Sequence, residues 1–197
     1  MVRSPESALE LSYRELVTAI HGMLFGGFFL MALGGAFVLL LQQSDSDLCA
    51  SDAAARPPRW QTPYLLVMVA LGWAAVLSGA YIVYPWYRAV APAAADLALY
   101  PKALLTAHPA TAGWHSLGME WKEHIAWIAP MAATMVAWVV VRHRAAWNAS
   151  CQVRNAVLGF AAAAFLAAAI AGGWGAMINK QAPVRGGQTY QLMGDAK

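Results

Sequence analysis

The sequence predicts an all-α integral membrane protein: a single domain over residues 1–197, folded as a four-helix bundle with a short interfacial helix between spans two and three. Two observations carry this. Hydrophobic residues make up 60% of the 197-residue chain and charged residues only 12%, with a mean hydropathy of +0.48. A globular domain is nearer to about 45–50% apolar and about 25% charged. The apolar excess is also gathered into four blocks, each long enough to cross hydrocarbon, which takes roughly 20 residues.

Residues 1–15 form a polar, acid-containing lead that reads as helix. Ser4 can cap it, Pro5 suits the first helical position and Glu6 falls in the first turn. Leu9, Tyr13, Leu16, Val17 and Ile20 then continue one apolar face into span one, about 16–41, which holds no Asp, Glu, Lys or Arg. A block of this length behind an acidic lead does not read as a signal peptide, whose apolar core spans about 7–15 residues.

Span two covers about 64–87. Pro63 opens it and Tyr84-Pro85-Trp86-Tyr87-Arg88 closes it, the proline, aromatic and basic mixture expected where a helix leaves a bilayer. The 88–117 connection is long for a turn. Its alanine- and leucine-rich first half predicts the short interfacial helix. Span three is about 117–141, with a kink expected at Pro130. Span four is about 156–178. The pairs Gly26-Gly27 and Gly34-Gly35 suggest a helix-packing face on span one.

Four spans place both termini and the 88–117 connection on one side. Of the 13 basic residues, eight fall on that terminal side, so cation bias favours cytoplasmic termini, as in a bacterial inner membrane. Cys49 and Cys151 both lie on the other side. They can pair only if that side is oxidising; otherwise both stay as thiols.

The charge pattern excludes nucleic-acid binding, because a net charge of +3 is thinly spread and no basic stripe exists. Two cysteines also exclude a disulfide-stapled secreted scaffold. The bilayer and other subunits of a membrane complex are the expected partners. An electron-transfer or non-catalytic subunit fits better than a stand-alone enzyme.

Four of the five histidines, His21, His108, His115 and His124, fall towards the terminal side. Ionisable groups inside spans are costly and point to function. Three chemistries suit them. His21 and His124, at similar depth on spans one and three, could ligate one b-type haem, with His115 as a substitute ligand and Arg88, Lys180 or Arg185 for the propionates. That makes the chain a subunit of a respiratory or photosynthetic complex, exchanging electrons with a quinone and a partner such as a cytochrome. His21, Glu120 and His124 could instead bind a non-haem metal, Glu120 and His124 being one helical turn apart. Or the histidines and tyrosines could hydrogen-bond a quinone head group. The rival is a cofactor-free scaffold or assembly subunit in which histidines near helix ends bond neighbours and the aromatics form interfacial belts.

Overall fold

The computed structural model describes residues 9–45 and 58–192. Among them, four helices are long and apolar enough to cross a membrane: Tyr13–Ser44, Gln61–Tyr87, Pro109–Arg142 and Cys151–Gln181. Each contains its predicted span and runs beyond it. The largest extension is at the start of span three, where the helix begins at Pro109. Its 34 residues make about 50 Å at 1.5 Å per residue. The hydrocarbon core is about 30 Å thick, so some of this helix stands outside it.

Span one packs against spans two and four, and span three packs against the same two. Spans one and three therefore sit on a diagonal. Phe29, Leu33, Ala36 and Leu40 of span one meet Leu65 and Met68 of span two in the core. Spans three and four close the other side with small residues, Ala129, Ala132, Ala133 and Ala137 against Ala161, Ala164 and Ala167. Small side chains let two backbones approach closely, which drives packing where lipid removes the hydrophobic advantage. The outward faces are apolar too: Met23 is 76% exposed, Tyr81 72% and Leu166 59%. Helices that are apolar all round suit lipid contact.

Of the two glycine pairs, only Gly34-Gly35 packs against a neighbour. A Cβ at Gly34 would touch Phe165, and one at Gly35 would stand 2.5 Å from the Tyr64 hydroxyl. At Gly26 and Gly27 it would meet only its own helix's carbonyls, so that pair is not part of a packing face.

The lead differs from expectation. Its Ser4 cap lies outside the described residues, and Leu9–Ser12 is a strand, β1, not helix. β1 pairs antiparallel with β2, Thr189–Leu192, in register Glu10 to Gln191 and Leu11 to Tyr190. Alternation of Leu and polar residues suits a strand as well as a helix turn, and the partner decides it. The pairing also puts both described ends of the chain on one side of the bundle. Helix one then starts at Tyr13 with a capping box: the Glu15 amide donates to Ser12 Oγ at 3.4 Å, and the Ser12 amide donates to the Glu15 carboxylate at 2.9 Å. Ser12→Ala removes the cap and lowers stability by about 1 kcal/mol, readable as a lower thermal midpoint in detergent.

The 88–117 connection contains a short helix, Pro101–Thr106, preceded by a tight turn at Leu97–Leu99. Its Leu105 is buried with Tyr87, Met119, Ile178 and Val184 in a second core at the terminal end. In span three the regular helix lapses at residues 126–127, one turn before Pro130. Pro130 cannot donate to the Ala126 carbonyl, and that carbonyl instead accepts from the Ala129 amide at 3.3 Å. At the opposite end Cys151 is disulfide-bonded. The sequence holds one other cysteine, Cys49, which lies outside the described residues.

Candidate functional site

Three spans leave α-helical geometry in π-helical stretches. These are Ile20–Gly27 in span one, Gly79–Val83 in span two and Trp114–Met119 in span three. Such stretches recur at functional sites, because the extra residue per turn re-aims side chains. His21 lies at the start of the first, against Gly79 at the start of the second. A Cβ on Gly79 would stand 2.7 Å from His21 Cε1, so only glycine admits the ring there.

The His21 ring faces span two. Its Nδ1 is 3.0 Å from Ser78 Oγ. That hydroxyl donates to the Ala75 carbonyl at 3.2 Å, which leaves it to accept from Nδ1–H. With the hydroxyl's one proton given to Ala75, Nδ1 is the donor in this contact, and the Ala75 carbonyl also interacts with the ring.

Lys122 reaches the same region from span three. Its Nζ lies against span four, 2.7 Å from where a Gly175 Cβ would stand, and its charge acts on His21. Gly175 provides the space for it. No hydrogen bond or ion pair holds the ammonium among the described residues. The indole nitrogen of the preceding residue, Trp121, is buried and has no hydrogen-bond partner among the described residues.

His124 points elsewhere. It follows Lys122 by two residues, or about 200° around an α-helix of 3.6 residues per turn. With Lys122 turned towards span four and His21, His124 lies on the far side. Its side chain is 71% exposed, and Nδ1 is 2.8 Å from the Glu120 carbonyl of its own preceding turn. His21 and His124 therefore do not converge on one space, and the pair does not fit a haem held between spans one and three. The proposed trio of His21, Glu120 and His124 fares the same way. Among the described residues no three His, Cys, Asp or Glu gather closely enough for a metal ion.

Arg88, Glu120 and His115 gather where spans two and three meet, whereas Lys180 and Arg185 do not. Arg88 lies 4.0 Å from the Glu120 carboxylate, which is 3.9 Å from His124 Nδ1, all on the exposed side. The Arg88 guanidinium lies over the Tyr84 ring, 5.2 Å from its centre. Tyr84 interacts with Glu123, one of whose carboxylate oxygens is buried without a partner. His115 Nδ1 is 2.9 Å from the Tyr87 hydroxyl. Lys180 is exposed in the last turn of span four, and Arg185 pairs with Glu15 at 3.3 Å.

The residues that sequence reasoning missed are Ser78, Gly79 and Lys122. Lys122 carried a signal, since it lies two residues from His124 and one of the two must face away. Ser78 and Gly79 carried none, because a Ser-Gly pair within an apolar span is unexceptional.

Comparison with protein-family models, curated proteins and solved structures finds no match to this chain.

Proposed function

We propose that this chain is an integral membrane subunit of an electron-transfer complex and that it holds a quinone head group between His21 and Lys122. The observation that carries the reading is the Lys122 side chain, for which no hydrogen bond or ion pair is found among the described residues, close enough for its charge to act on His21. An unsatisfied charge in a low-dielectric interior is costly, and residues are kept there for what they bind. A quinone carbonyl accepts from Lys122; once reduced, its hydroxyl donates to His21 Nε2. Reduction to the quinol takes two electrons, delivered by a partner subunit, and two protons, taken up from water at the terminal side. Neither His21 nor Lys122 is completely enclosed, and both belong to spans that face lipid, the phase in which a quinone diffuses.

The disulfide at Cys151 supports an oxidising compartment on the loop side, and with the cation bias it supports cytoplasmic termini. A bacterial inner membrane fits both.

Quinone extracted from the detergent-purified protein and quantified by chromatography tests the assignment. Wild type carries close to one equivalent. Lys122→Met, which keeps the aliphatic stem, and His21→Leu each weaken retention about 10–100-fold, the value of a hydrogen bond to a charged or buried group. His124→Ala leaves it unchanged. Quinone retained by Lys122→Met, or absent from wild type, removes the reading and favours the cofactor-free scaffold. Haem b bands in a reduced-minus-oxidised spectrum would restore haem chemistry at other ligands.

A further inference from the structure

On the terminal side, outside the His21 and Lys122 site, a cavity of about 450 Å³ is lined by Arg14, Ala89, Val90, Leu99, Tyr100, Arg185 and Gly186. We infer that it binds the phosphodiester head group of an anionic phospholipid. The two arginines reach it from opposite ends of the chain. Arg14 is held by the start of span one, where its amide donates to the Gly186 carbonyl at 3.1 Å. Arg185 follows span four and precedes β2. Gly186 joins them: its φ of +128° is open to glycine, and its amide donates to Ser12 Oγ at 3.2 Å. The site is thus fixed by the capping box and the strand pair rather than by loose side chains.

Charge and polarity define the ligand. The site holds two guanidiniums and one carboxylate: Glu15 pairs with Arg185, and no carboxylate pairs with Arg14 among the described residues. The Arg14 guanidinium instead lies 5.5 Å over the Trp86 ring, which fixes it without neutralising it. The surplus positive charge calls for one anion, and arginine suits phosphate oxygens through paired N–H donors. Tyr100 and the apolar Ala89, Val90 and Leu99 form the rest of the lining, with Val90 88% exposed and Leu99 47% exposed. A free phosphate has no use for that wall, whereas the glycerol and first methylenes of a lipid cover it. The cavity also lies beside the lead into span one and the exit of span two, where spanning helices end. Basic sites there match anionic lipids of the cytoplasmic leaflet.

The test uses the full chain purified in detergent, with thermal unfolding followed after adding phosphatidylglycerol, phosphatidylcholine or inorganic phosphate. Phosphatidylglycerol at saturation raises Tm by about 5 °C or more, and the other two leave it within about a degree. Arg14→Gln abolishes the rise, and Lys180→Gln, on the same side but outside the cavity, keeps it. If Arg14→Gln does not fold, Arg185→Gln, at an exposed position, carries the same expectation. An equal rise with phosphatidylcholine or inorganic phosphate overturns the lipid assignment. A rise that survives in the arginine variants overturns the site.

Discussion

Reduction of the disulfide at Cys151 lowers the stability of the bundle by about 2–4 kcal/mol, the usual worth of a native bridge. The bond restrains the unfolded chain, and it ties down the start of span four, where Arg154 is only 4% exposed. The Arg154 guanidinium donates to the Asn148 carbonyl at 3.1 Å and lies 3.2 Å from Cys151 Sγ. Loss of the bond therefore loosens a buried charge as well as the chain. Thermal unfolding with and without a phosphine reductant measures the effect, and Cys151→Ser reproduces it. Thiol counting adds an independent readout: no reactive thiol before reduction and two afterwards, matching the two cysteines of the sequence. Thiols that react without reduction, or a Tm unmoved by it, count against the bond.

Gly72→Ala destabilises the core by about 1–3 kcal/mol, the cost of inserting a methyl into a packed interior. The new Cβ would stand 2.8 Å, 3.0 Å and 3.1 Å from three ring atoms of Phe29, which is itself only 3% exposed and has no room to withdraw. Gly22→Ala provides the contrast. Nothing lies within 4 Å of its Cβ position, so alanine there is neutral or stabilises by up to about 1 kcal/mol through its better helix propensity. Unfolding of both variants in the same detergent checks the pair. Equal losses would mean that spans one and two do not meet as described.

These contrasts show what was legible in the sequence. Spans are set by long runs dominated by apolar residues, so their number and order follow from where those runs fall. The helix pause before Pro130 follows from one missing amide. Strand β1 was not legible, because Leu9–Ser12 takes its conformation from Thr189–Leu192, far along the chain. Nor were the π-helical stretches, since Ile20–Gly27 has the apolar character of any helix turn. The candidate site was half legible. Histidine count and depth led to His21, whose ring does face the interior of the bundle. His124 was misplaced because depth says nothing of rotation about the axis. Only the room beside Gly175 shows that span three turns Lys122, not His124, towards span four.

The strand pair has a consequence for biogenesis. β1 leaves the ribosome early, yet its partner begins 177 residues after Ser12, counting from 12 to 189. At about 5–20 residues per second, β1 waits roughly 10–35 s with its edge unpaired. Spans one to three can insert during that interval, but the surface formed by Ser12, Arg14, Arg185 and Gly186 cannot. Nascent chains halted before residue 189 should therefore be membrane-inserted and still open at the terminal side. A chaperone or partner subunit that covers β1 would act within that window.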